Sequence, residues 1–228
     1  FPVPRGTQIK KFTMEIGGKQ VEAELLSADK ARGIYEEIVR KMRGSNAEWD
    51  FMGRTFLVLA LANMALRQPA DQAAQLEVMD RIIEETLRLD REKGIYFFLM
   101  GYARSRSFVR QPARSLFVDG EIALMLAARR LVAESPEYRA PLQERVEAII
   151  AAMESGPVLC AESYPDECWM FCNTAALAAV KAWDALEGVN HSAFFSRWLE
   201  RAKAKLVDPG TGLLVSSFTL DGKVNDGP

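Results

Sequence analysis

Residues 164–174, YPDECWMFCNT, concentrate the side chains of this chain that are best suited to chemistry. The stretch holds two carboxylates, two thiols, an amide and aromatic rings, and the nearly charge-free run AALAAV follows it. A helix that begins here would direct its unpaired N–H groups and the positive end of its dipole at these side chains, which favours a thiolate or a bound oxyanion. The pattern therefore predicts a ligand site at a helix start, without specifying a reaction.

Polar clusters also open two other predicted helices, near residues 47–67 and 117–134. If the three helices present the same end to one mouth, their polar groups would converge on a pocket. We predict Asp50, Asp166 and Cys172 as catalytic residues. The predicted substrate-binding residues come from the same clusters and the loop nearby: Trp49, Arg54, Tyr102, Arg114, Asp119, Tyr164, Trp169 and Asn173. The alternative is that the acidic residues only cap their helices and compensate the helix dipoles.

Residues 102–114 form a second concentration of functional groups, because they contain four arginines and two aromatic residues. A long loop inside a compact domain is often functional. Arginine matches the geometry of carboxylates and phosphates, so this loop could clamp an anionic or polyol ligand. It could equally pair with the carboxylates of the predicted mouth, and the sequence leaves both interpretations open.

The residue content of the chain argues against several classes of function. His191 is the only histidine, and it lies beside Asn190 at the start of a predicted outer helix, which argues against Ser–His–Asp and Cys–His catalysis. A Cys-x₃-Cys pair without a second ligand cluster does not complete a zinc site, and no nucleotide-binding fingerprint is present. A net charge of −2 gives no electrostatic case for nucleic acid, and no apolar run reaches membrane-spanning length. We expect no cofactor and a small-molecule substrate.

Residues 46 onward are predicted to be helical, with helices near 47–67, 71–93, 117–134, 137–154, 167–187 and 191–206. The first, third and fifth are apolar nearly all round, whereas the others are amphipathic. Such alternation is typical of stacked α-hairpins with buried inner helices. We therefore predict a mainly α protein, an incomplete α/α toroid of three hairpins with no sheet between 46 and 206. An open helical solenoid is the competing arrangement.

Residues 1–43 differ from the rest. Residues 12–16 and 21–25 alternate with period two around Gly17 and Gly18, which predicts a β-hairpin, and Ser27 would cap a helix over 28–42. The sequence FTMEIGGKQVEAEL, followed by ARGIYEEI, resembles part of a VIT (vault protein and inter-alpha-trypsin) domain. That resemblance implies a partial β-rich module, of a kind found beside interaction or adhesion domains. We divide the chain into this module, 1–43, and a helical domain, 46–228, that ends in a predicted β-hairpin.

The helical part carries its own resemblance. The runs EWDFMGR (48–54), QPARSLFVD (111–119) and YPDECWMFCN (164–173) resemble the linalool dehydratase/isomerase-type α/α toroid family. The resemblance implies cofactor-independent acid–base chemistry on a terpene alcohol, with Asp50 and Cys172 at matching positions. Asp50 or Asp166 would then act as acid or base, Cys172 as a proton donor or acceptor, and Asn173 as a hydrogen-bond anchor. The sequence departs from the family in lacking a histidine in its middle region and in having Ser163 where a cysteine is expected.

Two other functions stay open. A toroid could act on carbohydrate, with paired carboxylates doing hydrolase or epimerase work while Trp49 and Trp169 stack on sugar rings. The chain could instead be a non-enzymatic interaction scaffold. We expect the natural protein to extend beyond both ends, and the uncovered hairpin flanks to favour self-association. Three clustered cysteines suit a reducing compartment such as the cytoplasm, although a bridge of Cys168 to Cys160 or Cys172 and a removed signal peptide are both compatible with the sequence.

Overall fold

The computed structural model describes residues 11–16, 19–24, 33 and 46–228. Six α-helices occupy most of the segment from residue 47 to residue 205. They are α1 (Ala47–Arg67), α2 (Gln72–Lys93), α3 (Leu116–Val132), α4 (Arg139–Glu154), α5 (Met170–Glu187) and α6 (Ser192–Lys205). These helices confirm the prediction of a mainly α protein, with bounds close to those read from the sequence.

Local sequence signals set several of the helix ends. The Asn46 side chain accepts a hydrogen bond from the Trp49 amide at 3.0 Å and starts α1. The Ser115 hydroxyl plays the same part for α3, accepting from the Val118 amide at 3.4 Å. Gly188 ends α5 with a φ of 65°, a left-handed conformation that costs glycine little. These caps fix where each helix begins or ends, and hence which side chains reach the helix termini.

Helix α3 lies at the centre of the helical part. It packs against α1 and α5 on two sides and against α2 and α4 on others, so that nearly its whole length is buried. A Cβ atom at Gly120 would lie only 3.3 Å from Ala176, so the missing side chain allows α3 and α5 to approach closely. The helices α1, α3 and α5 therefore form an inner row, with α2 and α4 outside it.

This inner row agrees with the predicted layering of helical hairpins, whereas closure into a toroid stays a prediction. Leu177 is buried, and Leu59 and Leu124 are partly buried against the core. The expectation that apolar helices are covered all round is wrong for α1, which leaves Trp49 and Phe56 about half exposed at 54% and 47%. One face of α1 is thus apolar and uncovered among the described residues.

A short antiparallel hairpin precedes the helices. Strand β1 (Lys11–Ile16) pairs with β2 (Lys19–Glu24), with Phe12 opposite Ala23 and Met14 opposite Val21. The hairpin read from the alternating sequence is confirmed. Apart from Gly33, which is helical, the helix predicted over residues 28–42 lies outside the described residues.

A second small sheet overturns one expectation. Strand β3 (Cys168–Trp169) pairs antiparallel with β4 (Ser217–Phe218), which pairs with β5 (Val224–Asp226). The prediction of no sheet between residues 46 and 206 is therefore wrong, and α5 begins at Met170 rather than near 167. The cause is a long-range contact, since the C-terminal segment returns to pair with the entrance of α5. No helix among the described residues is both long and apolar enough to cross a bilayer.

Candidate functional site

A tight turn before α5 builds one wall of the candidate site. The Glu167 amide donates to the Tyr164 carbonyl at 2.9 Å, and the Tyr164 amide donates to the Glu167 carbonyl at 3.1 Å. Asp166 holds a φ of 56° within this turn, a conformation that acidic and amide residues tolerate better than most. The turn directs the Glu167 carboxylate toward the loop that precedes α3.

Glu162 fastens that loop to the turn. Its buried carboxylate accepts hydrogen bonds from the backbone amides of Val109, Arg110 and Asp166, at 2.9, 3.0 and 2.7 Å. Three backbone donors on one carboxylate satisfy a buried charge that would otherwise be costly. The sequence analysis did not single out Glu162, and no local sequence signal marks it, because two of its three partners, Val109 and Arg110, lie more than 50 residues away in the chain.

Tyr102, Tyr164 and Trp169 meet around Glu167. The two tyrosine rings stack with centroids 5.0 Å apart and planes 13° from parallel. Glu167 accepts hydrogen bonds from the Tyr102 hydroxyl at 3.0 Å, the Trp169 indole N–H at 3.4 Å and Arg106 at 2.5 Å. The Tyr164 hydroxyl accepts from the Met100 amide at 3.0 Å. Three of the predicted substrate-binding residues therefore do come together, although the carboxylate that joins them was not predicted.

The electrostatics of this cluster keep both tyrosines protonated. Burial raises the pKa of Tyr102, and the neighbouring carboxylate of Glu167 raises it further. Burial likewise raises the pKa of Tyr164, with Glu48 in the first turn of α1 adding in the same direction. Each tyrosine can therefore donate a hydrogen bond at neutral pH but not act as a phenolate base.

Cys172 lies in the first turn of α5, and its surroundings reverse the expected behaviour. Burial raises the pKa of Cys172 to about 12, Glu121 and Glu48 add to the shift, and the Ser163 side chain opposes it. The expectation that the helix N-terminus lowers this pKa is wrong, because loss of solvation outweighs the dipole. All three cysteines are buried free thiols, and burial also raises the pKa of Cys160 to about 12 and the pKa of Cys168.

Glu121, on the second turn of α3, is another residue that the sequence analysis does not predict. It is 1% exposed, and burial raises its pKa to about 7, with only Thr55 on α1 opposing the shift. Its Oε2 atom has no hydrogen-bond partner among the described residues. The run FVDGE contains both carboxylates, and the sequence pattern predicts only Asp119 as a site residue.

Asp119 and Arg114 belong to a separate ion-pair network. Both oxygens of Asp119 accept from Arg114 at 2.9 Å, and Arg145 bridges Asp119 at 2.7 Å to Asp90 at 2.5 Å. Asp119 and Glu121 are two positions apart in the chain, which places their side chains about 200° apart around α3. Asp119 therefore joins α2, α3 and α4 rather than the mouth.

Asp50 and Arg54 also have partners away from Cys172. The carboxylate of Asp50 lies 3.4 Å from Arg54 Nε, and Arg54 reaches Glu85 on α2 at 3.5 Å. Both residues of the pair are buried, and the Oδ1 atom of Asp50 has no hydrogen-bond partner among the described residues. This network connects α1 with α2, and Trp49 beside it points into solvent.

The remaining predicted residues, Asn173 and Asp166, hold backbone segments in place. Asn173 is fully buried, accepts from the Ala161 amide at 3.1 Å and donates to the carbonyls of Ala161 and Trp169 at 3.3 and 2.9 Å. Asp166 accepts from the Leu220 amide at 3.4 Å. Asn173 thus ties the segment before the turn to α5, and Asp166 ties the turn to the C-terminal segment.

The arginine-rich loop agrees in part with the interpretation that its arginines pair with carboxylates. Arg106 and Arg114 pair with Glu167 and Asp119. Arg104 instead stacks over the Tyr96 ring, 6.0 Å from its centroid, and Arg110 donates to the Ser155 carbonyl. Two of the four arginines therefore pair with carboxylates, and the other two bind only uncharged groups among the described residues.

His191 lies after α5, at the opposite end of that helix from Cys172. Its Nδ1 atom lies 2.5 Å from Oδ1 of the buried Asp184, and its amide donates to Oδ2 at 3.0 Å. The pair fixes the turn between α5 and α6. No group of three or more metal-binding side chains among the described residues is placed to hold an ion.

Comparison with known families gives one match. A model of the vault protein inter-alpha-trypsin (VIT) domain matches residues 1–65, which extends the predicted unit of residues 1–43 into α1. No curated protein matches the chain. The similarity of residues 46–228 to the linalool dehydratase/isomerase family has no such support and stays a prediction.

Proposed function

We propose that the N-terminal ends of α1, α3 and α5 form a cofactor-independent acid–base site of the lyase or isomerase type. The substrate would be a small apolar or terpenoid-like alcohol. Glu121 carries the proposal. It is a buried carboxyl group beside Cys172, and burial raises the pKa of Glu121 to about 7. Both protonation states of such a group are populated at neutral pH, which suits general acid–base catalysis.

The groups around Glu121 supply complementary parts for a dehydration. Protonated Glu121 would give its proton to the substrate hydroxyl, so that the C–O bond breaks and water leaves. Glu48 would take a proton from the adjacent carbon, and the electron pair of that C–H bond would become the new double bond. Glu48 would then return the proton to Glu121 through solvent. Cys172 and Tyr164, kept neutral by their raised pKa values, would donate hydrogen bonds to the substrate oxygen.

This assignment revises the roles predicted from the sequence. We give the acid role to Glu121 rather than to Asp50 or Asp166, since Asp50 pairs with Arg54 and Asp166 accepts from Leu220. Exposed aromatic side chains in the first turns of α1 and α5, Trp49 and Phe171, support an apolar substrate. Apolar contacts of this kind commonly line small-molecule sites.

The test is an alkene-formation assay. The purified protein is incubated with primary, secondary and tertiary allylic alcohols, and alkene products and isomeric alcohols are measured by headspace gas chromatography. Glu121→Gln should lower kcat/KM by roughly 100-fold or more, and the limb of the pH profile near 7 should vanish. Cys172→Ser should also lower turnover, and Cys160→Ser is its matched control, because both replace a buried thiol. Absence of product with every alcohol, or full activity of Glu121→Gln, would contradict the proposal.

A second candidate is an interaction scaffold, favoured by the VIT-like match and by the apolar face of α1. The match reaches residue 65, and Trp49, Phe56 and Leu66 are exposed along that helix. Uncovered apolar surface of this kind often marks a protein contact. Light scattering at several concentrations would test self-association, with Phe56→Lys as the disrupting variant and Lys203→Glu, on the exposed side of α6, as the control.

A further inference from the structure

A cavity of about 620 Å³ lies between residues 109–114 and α4, apart from the acid–base site. Its floor is apolar, formed by Ala148, Ala151 and Ala152 of α4 together with Leu220. None of Glu121, Cys172 or Tyr164 lines it. A space of this size with an apolar floor is suited to a small organic molecule.

Arg110 gives the rim of the cavity a positive charge. Its guanidinium donates to the Ser155 carbonyl, and its Nε atom is buried with no hydrogen-bond partner among the described residues. A buried, unsatisfied charged donor is costly unless something pairs with it. No carboxylate among the described residues pairs with this guanidinium, unlike those of Arg106 and Arg114 in the same loop.

Glu162, the acidic residue of the cavity lining, does not pair with the guanidinium of Arg110. Glu162 lines the cavity, but its carboxylate oxygens accept from the backbone amides of Val109, Arg110 and Asp166. Those hydrogen bonds satisfy the acceptor oxygens of Glu162, and all three donors are backbone amides rather than the Arg110 guanidinium. Arg114 contributes a second cation to the lining, although it is paired with Asp119.

We propose that this cavity binds a small carboxylate with an apolar body, whose hydrocarbon part lies on the α4 alanines and whose acid group pairs with Arg110. Arginine presents parallel N–H donors that match the two oxygens of a carboxylate. The floor would remove the apolar body from water. The site is independent of the acid–base site, so that either could fail without the other.

Titration calorimetry with hexanoate and benzoate tests the proposal, with hexan-1-ol and benzyl alcohol as uncharged counterparts of the same shape. The carboxylates should bind saturably and at least about ten-fold more tightly than the alcohols, as expected for a charge-assisted hydrogen bond. Arg110→Gln should weaken carboxylate binding to the level of the alcohols. Arg104→Gln is the matched control, because Arg104 lies in the same loop but stacks on Tyr96 outside the cavity lining.

A variant that fills the cavity tests whether the apolar floor contributes to binding. Ala151→Leu should weaken binding of both carboxylates and alcohols at least ten-fold, whereas Ala204→Leu on α6 should leave it unchanged. Thermal unfolding of each variant shows whether it folds. The proposal is overturned if the carboxylates do not bind, if the alcohols bind equally well, or if folded Arg110→Gln retains wild-type affinity.

Discussion

Helix α3 carries two carboxylates that meet opposite surroundings. Asp119 faces Arg114 and Arg145, which satisfy both of its oxygens. Glu121, on the other side of the helix, faces Thr55 and Cys172 and has an oxygen without a hydrogen-bond partner among the described residues. The same helix therefore holds one carboxylate in an ion network and another in a largely apolar setting.

The contrast shows which physical property separates a structural acid from a candidate catalytic one. Arginine partners stabilise a carboxylate in its charged form and join neighbouring helices. Burial without a cation raises the pKa instead, to about 7 for Glu121, and leaves the proton available for transfer. The environment, not the residue type, decides the role.

The largest expected effect concerns thiol reactivity on the Glu121 side of α3. With its pKa raised from 9.0 to about 12, Cys172 should alkylate at neutral pH about a thousand-fold more slowly than an ordinary exposed thiol. Iodoacetamide labelling followed by mass spectrometry measures the rate, and labelling in denaturant supplies the reference. Fast labelling of the folded protein at pH 7 would show that burial does not control this thiol.

The second-largest expected effect concerns Asp119, which lies on the side of α3 that pairs with arginines. Asp119→Ala should lower the free energy of unfolding by about 3 kcal/mol, because it leaves two arginine side chains without this partner. The value is at the lower end for a buried ion pair, since Arg114 is partly exposed. Denaturant unfolding measures it. Arg88→Ala, which breaks an exposed pair with Glu92, is the control and should cost less than about 0.5 kcal/mol.

A pH-dependent effect follows from Glu121. Between the ordinary pKa of 4.5 and the raised value of about 7, the unfolded chain releases the proton while the folded protein retains it. Stability should therefore fall as the pH rises through this window and level off above it, by roughly 3 kcal/mol in all. Unfolding of the wild type and of Glu121→Gln across pH 4–8 isolates this contribution. A constant difference between the two proteins would show that Glu121 is not shifted.

The smallest effect concerns the exposed Tyr102 beside Glu167. Tyr102→Phe removes the hydrogen bond to Glu167, while Arg106 and Trp169 still donate to that carboxylate. The ring stacking on Tyr164 is retained. We expect a loss of less than about 1 kcal/mol of stability, measured by thermal unfolding. A larger loss would mean that the hydroxyl organises the turn before α5.

The helices could be predicted from the sequence because their signals are local. Apolar periodicity, Asn46 and Ser115 as N-caps and Gly188 as a C-terminal glycine each act within a few residues. The strand at Cys168–Trp169 could not be predicted in this way, because its partner lies nearly 50 residues further along the chain. The cluster of tyrosines around Glu167 was predicted only in part, for the same reason.

The sequence by itself determined the helical class, most of the helix bounds and the concentration of polar groups at helix starts. Only the tertiary structure decided which of these groups is paired with arginine, which is bound to backbone and which is buried without a cation. Asp119 and Glu121 are both acidic residues near the start of α3, and nothing local distinguishes their roles. The difference arises from residues 55, 114, 145 and 172, which the packing of α1, α4, α5 and a loop against α3 brings to opposite sides of that helix.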